Sequence, residues 1–163
     1  RIVYLGSGPL RALSEEATLK CLELSAGKLG VFYDSPLSFR HGPKSIINDK
    51  TAVIMMLSNK EYTRKYEIDL LKEMYTENSK NYLICLDAKN DKEVKENTNY
   101  YITLDNEKFS KYPEIINAFV YIYFAQLFAY NKSLRFGFNP DNPCPTGEVN
   151  RVVKGVNIYP YGK

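Results

Sequence analysis

The chain has 163 residues, 44% of them hydrophobic and 25% charged, the balance of one ordinary soluble domain with enough apolar residues for a core. A net charge of +3, with Lys and Arg scattered among Asp and Glu, leaves no basic stripe for nucleic acid or an acidic membrane, while a small anionic ligand stays open. Three cysteines, Cys21, Cys85 and Cys144, form no C-x-x-C, are widely spaced and are odd in number, which suggests neither a disulfide framework nor a zinc site and fits reduced thiols in a cytoplasm. Apolar runs such as "TAVIMMLS" are far shorter than the roughly 20 residues that span a bilayer, and no signal peptide opens the chain. The opening "RIVYLG", a strand with no Met and no lead-in, reads as part of something longer.

The run "IVYLG" ends in "GSGP" and leads into "LRALSEEATLKCLELSAG", whose leucines and alanine recur at helical spacing: strand, Gly-rich turn, helix. "KLGVFYDS" suits a short strand, and "HGPKSIIND" a loop entering a brief helix with Pro43 in its first turn. "TAVIMMLS" and "NYLICLDA" are continuous apolar runs of the kind buried on both faces of a parallel sheet, and "EYTRKYEIDLLKEMYTEN" between them is helical by period. "YYITLD" is a further strand. "PEIINAFVYIYFAQLFAYNKSL" is a helix too apolar for one solvated face, so it is expected to pack on the sheet and on a partner. Strand and helix alternate, which predicts an α/β class with a doubly wound parallel sheet over residues 1–136. Residues 137–163, rich in proline and ending in an apolar alternation, are expected to form an irregular tail that packs back on the domain.

Four places could carry chemistry. The "GSG" turn with Ser7 could present amides to an anion, but it lacks the third glycine and the distant acidic residue of a dinucleotide site; a plain tight turn or a sugar contact suits it better, and no cofactor is expected. Glu16, Lys20 and Glu23 stand at i, i+4 and i+7 on one helical face. Spacing alone suits a solvated face laced with Glu–Lys pairs; the flanking Leu13, Ala17 and Leu24 argue instead for partly buried carboxylates able to move a proton. The single histidine, His41 in "SFRHGPKS" beside Arg40, excludes a multi-histidine metal cluster and, if functional, is an acid or base rather than a structural loop residue. Lys154, in the apolar run near the end, either snorkels to solvent or anchors a ligand.

Together, "EEATLKCLE", "FYDSPLSFRHGPKSIINDKTAVIMMLS" and "NPDNPCPTGEVNRVVKGVNIYPY" resemble the second half of sugar isomerase (SIS) proteins of the AgaS-type tagatose-6-phosphate ketose/aldose isomerase group. The resemblance implies a three-layer, flavodoxin-like five-stranded parallel sheet and a parent with tandem SIS domains, this being the C-terminal one. It implies an enzyme acting on a phosphorylated hexose or amino sugar, converting galactosamine 6-phosphate to tagatose 6-phosphate with ammonia release, or isomerising tagatose 6-phosphate. By similarity to the isomerase half of glucosamine-6-phosphate synthase, Glu23 would shuttle the proton between C1 and C2, with Lys20 steadying the reacting oxygen or nitrogen and Glu16 lining the site. His41 would assist ring opening from a neighbouring subunit, so that a homo-oligomer is implied. Lys154, Ser7 and Arg40 would contact substrate, and no metal is needed. The phosphate-gripping Ser/Thr-rich loop of the family belongs to the first SIS domain, which this chain does not contain, so the piece alone would be inactive. A sugar-phosphate-sensing domain of a regulator and a fructosamine-phosphate deglycase are the alternatives.

Overall fold

A computed structural model describes residues 1–77, 82–104, 107–147 and 155–162. Five strands, β1 (Ile2–Gly6), β2 (Val31–Asp34), β3 (Ala52–Met56), β4 (Tyr82–Asp87) and β5 (Tyr100–Thr103), pair in the order β2-β1-β3-β4-β5. Every pairing is parallel, with Ile2 opposite both Val31 and Ala52, and Ala52 opposite Tyr82. The helices are α1 (Pro9–Leu24), α2 (Pro36–Arg40), α3 (Glu61–Glu77), α4 (Lys92–Glu96), α5 (Glu107–Lys111) and α6 (Glu114–Arg135), with a 3-10 turn at Pro43–Ile46. The predicted α/β class and five-stranded parallel sheet are thus present.

Alternation along the central strands fills two cores. Val3, Leu5, Val53 and Met55 meet Phe39 of α2, Leu70, Leu71 and Met74 of α3, and Val94 of α4 on one face. Ile2, Tyr4, Ile54 and Met56 meet Ala17 and Cys21 of α1 and Tyr121, Ala125 and Ala129 of α6 on the other. Small residues on α1 and α6 allow these two helices to lie against each other and the sheet together. The chain order reverses between β1 and β3, and the crevice beyond their carboxyl ends is where open α/β sheets place ligands.

The turn out of β1 is tight. A Cβ on Gly6 would lie 2.5 Å from the Leu10 carbonyl oxygen, so only glycine lets α1 start this close to the strand. Gly8 takes a positive φ of 54°, and Pro9 supplies the first helical residue.

Helix α6 carries two stripes. Asn117, Tyr121, Ala125, Ala129 and Ser133 are buried. Ile116, Phe119, Tyr123, Leu127, Tyr130 and Leu134 form a second apolar stripe left exposed, Phe119 by 72% and Tyr123 by 62%. Among the described residues no helix is long and apolar enough to cross a membrane.

Of the tail, residues 138–146 wall a groove against the end of α1. Residues 155–162 are exposed, with Ile158 and Tyr161 open to solvent over nearly all their surface.

Candidate active site

Helix α1 buries Leu10, Ser14, Ala17, Thr18 and Cys21, which turns Glu16, Lys20 and Glu23 toward the outer flank of the domain. The Lys20 ammonium donates to Glu23 Oε2 at 2.8 Å and lies 3.5 Å from Glu16 Oε1, so the expected triad is assembled around one cation. The hydrogen bond to Glu23 is the main influence on Lys20; with the charges of both carboxylates it outweighs partial burial and raises the ammonium pKa, keeping Lys20 cationic. The side chain of Glu23 is 41% exposed and that of Glu16 45%, so in the described chain neither carboxylate is shut away from water.

Lys20 and Glu23 open onto a groove of about 1200 Å³ between the end of α1 and tail residues 138–146. The tail is pinned at its entrance: the Phe138 amide donates to the Ser133 carbonyl at 3.0 Å, and Lys28 Nζ stands 4.5 Å from the Phe138 ring centroid. Beyond it, the Asp141 amide donates to Asn139 Oδ1 at 3.0 Å and the Asn142 amide to the Asn139 carbonyl at 2.9 Å, a compact turn that presents Asp141, Asn142 and Thr146 to the groove. Lys154 lies outside the described residues.

The other expected site residues lie elsewhere. His41 is the exposed C-terminal cap of α2, and α2 packs with α3 on the face of the sheet opposite α1. Within one chain the sheet therefore separates His41 from Lys20 and Glu23. Arg40 is engaged by the Glu73 carboxylate of α3 at 2.5 Å, which also accepts from Lys44. The Lys44 hydrogen bond, with Arg40's charge behind it, holds the Glu73 carboxyl below the usual range. Arg40 thus ties α2 to α3.

Ser7 stands at the crevice between β1 and β3, and this crevice is acidic. Glu67 is 1% exposed and accepts from the Ser58 amide at 2.8 Å. Burial above all pushes its carboxyl pKa up, against the Ser7 hydroxyl and the Ser58 amide, which favour the charged form. Glu114 accepts from the Ser58 hydroxyl and, at 3.1 Å, from the Asn59 amide. Two carboxyl groups beside Ser7 make a poor seat for a phosphate, so "GSG" here closes a turn over buried acids.

Sequence reading passed over Glu67 and Glu114, and with them Arg64. The signal was available in α3: Arg64, Glu67, Leu71 and Met74 recur at helical spacing on the buried stripe, and charges at core positions need partners.

No protein-family model matches the chain. It is 44% identical over 161 residues to D-galactosamine-6-phosphate deaminase AgaS of Escherichia coli, an alignment covering 99% of this chain and 41% of that protein. The crystal structure of tagatose-6-phosphate ketose/aldose isomerase from Escherichia coli superposes with a TM-score of 0.83 at 40% identity, over 100% of this chain and 40% of that one. The C-terminal domain of glucosamine-fructose-6-phosphate aminotransferase from Francisella tularensis shares the fold, with a TM-score of 0.65 at 22% identity over 85% of this chain and 36% of that one. The chain spans about two fifths of the length of the curated relatives it matches.

Proposed function

Starting from a chain that is a sugar isomerase (SIS) domain of the AgaS type, we propose that its parent protein converts galactosamine 6-phosphate to tagatose 6-phosphate with release of ammonia. The observation that carries this reading is the Glu16–Lys20–Glu23 cluster at the mouth of the groove, a carboxylate base beside a fixed cation. In the open-chain amino aldose, Glu23 takes the C2 proton while the C1 carbonyl oxygen gains one, giving an enolamine; Lys20 steadies the charge on that oxygen. Return of a proton to C1 and loss of one from nitrogen gives the ketimine. Addition of water then expels ammonia and leaves the C2 ketone. Glu16 holds Lys20 in place.

Ring opening falls to His41 of a second copy, since His41 of the same chain stands on the far face. An imidazole has one nitrogen to take the anomeric hydroxyl proton and an N–H to give one to the ring oxygen. Lys154 would reach the substrate from the tail, and the phosphate would be gripped by an N-terminal SIS domain rather than by Ser7 or Arg40.

The exposed stripe on α6 supports a homo-oligomer. This helix lies along α1, and its last stripe residue, Leu134, precedes the tail that walls the groove, so a second copy seated there would lie beside the site. Phe119→Glu with Tyr123→Glu, both exposed, is expected to lower the sedimenting mass of the full-length protein to that of the monomer. An unchanged mass would place the interface elsewhere.

The functional reading is tested by ammonia release and C2 proton exchange with galactosamine 6-phosphate in deuterated water. Ammonia with exchange is the expected result. Exchange of tagatose 6-phosphate alone would leave a simple isomerase, and binding with neither reaction would make the protein a sugar-phosphate sensor.

A further inference from the structure

His41 lies in a short exposed segment between two anchors. Phe39 on α2 is buried, and Ile46 and Ile47 pack on the same core, whereas His41, Gly42 and Pro43 between them are exposed. The backbone alone does little to fix this segment: α2 has five residues, and the Gly42 amide reaches the Phe39 carbonyl only at 3.5 Å. One carboxylate supplies the rest. Glu73 of α3 engages Arg40 Nη2 through Oε2 at 2.5 Å and Lys44 Nζ through Oε1, so its two oxygens are tied to the residues one before and three after His41. Glu77, a turn further along α3, holds Lys44 alone, at 2.8 Å. The Glu73 side chain is 20% exposed against 53% for Glu77, and its helix is anchored by the fully buried Leu70, Leu71 and Met74. Several charges partly withdrawn from water, on a rigid helix, fix geometry that a lone surface pair does not.

Resting on the assignment of ring opening to His41 of a second copy, we infer that Glu73 is a positioning residue for that step: by gripping Arg40 and Lys44 together it sets where the His41 imidazole stands in the neighbouring site. Glu73 itself moves no proton. The anomeric hydroxyl proton passes to His41, and His41 gives one to the ring oxygen as the bond between C1 and that oxygen breaks. One imidazole serving two oxygens of one ring tolerates little displacement.

The test follows ring opening alone. In full-length Glu23→Gln the opened sugar can only reclose, so the interchange of the two anomers of galactosamine 6-phosphate, read by exchange NMR, reports His41. Adding His41→Ala should lower the protein's acceleration of that interchange by about 10²-fold. Adding Glu73→Ala, which keeps α3 helical, should lower it by about tenfold, with the calorimetric Kd for the sugar and the sedimenting mass unchanged. Glu73→Gln, which keeps the shape and one acceptor, should show a smaller loss in the same step, and Glu77→Ala should stay within about twofold. With His41→Ala already present, Glu73→Ala should cost nothing more, whereas a merely structural residue would add its own loss. Undiminished interchange in both Glu73 variants, or an added loss in the His41→Ala background, would overturn the role of Glu73 and leave His41 in place. Full interchange in His41→Ala would overturn the reading on which that role rests.

Discussion

Glu23→Gln in the full-length protein is expected to lower C2 proton exchange and ammonia release by about 10²–10⁴-fold, the contribution of a positioned general base. Substrate binding should change by less than about threefold. Glutamine keeps the shape of the side chain and an oxygen able to accept from Lys20, so the 2.8 Å contact can persist in the variant. Only the base is removed. Lys20 loses one of the influences that raise its pKa, yet its ordinary value of 10.5 already keeps it cationic at neutral pH, so loss of the Lys20 charge cannot account for the effect. Glu16→Gln serves as the control: Glu16 stands farther from Lys20, at 3.5 Å, and does not line the groove, so its removal should cost at most about tenfold. Turnover of Glu23→Gln within tenfold of wild type would sink the assignment.

The site was legible where chemistry follows helix period. The spacing of Glu16, Lys20 and Glu23 puts three ionisable groups on one face, and α1 delivers them together. What spacing could not supply was the layer on which each segment lies. His41 and Arg40 follow β2 closely, yet the reversal of strand order at β1 places α2 on the α3 face, and that reversal is a long-range property. Arg40 then meets Glu73, a partner that no local pattern names. The short helices escaped for a different reason: α2, α4 and α5 have five residues each, too few to show a period, although Ser35 and Asp91 are recognisable caps that accept from the amides of Ser38 and of Glu93 and Val94. The central strands were plain because strands buried on both faces are apolar throughout, whereas β5, at the sheet edge with Tyr100 and Ile102 exposed, has no such continuous apolar run.

Arg64→Met is expected to destabilise the domain by about 3–5 kcal/mol, the cost of stranding a buried charge. Asp87, at the carboxyl end of β4, is fully buried; its two oxygens accept from Arg64 at 2.8 and 2.6 Å, and it also accepts from the Tyr101 hydroxyl at 3.0 Å and the Lys89 amide at 3.0 Å. Arg64 donates again to Asp91 at 2.8 Å, and so joins α3 to the loop that leads into α4. Methionine fills most of the volume, which isolates the electrical loss from a packing loss. Adding Asp87→Asn to Arg64→Met should recover part of the stability, because the stranded charge is then gone. Acid titration gives a second reading. Burial acts to raise the Asp91 carboxyl, but the hydrogen bond from Arg64 and the amides of Val94 and Glu93 overcome it and hold the pKa below the ordinary value of 3.8. A carboxyl lowered in the folded state contributes stability that is present above its unfolded pKa and is lost as pH falls through the folded one, so this part disappears below about pH 4. Urea unfolding of wild type should therefore weaken between about pH 5 and pH 3, and Arg64→Met should show a shallower acid limb as well as a lower midpoint at pH 7. A loss below about 1 kcal/mol at pH 7 would mean that water replaces the guanidinium at Asp87, and that α3 is held to β4 by packing.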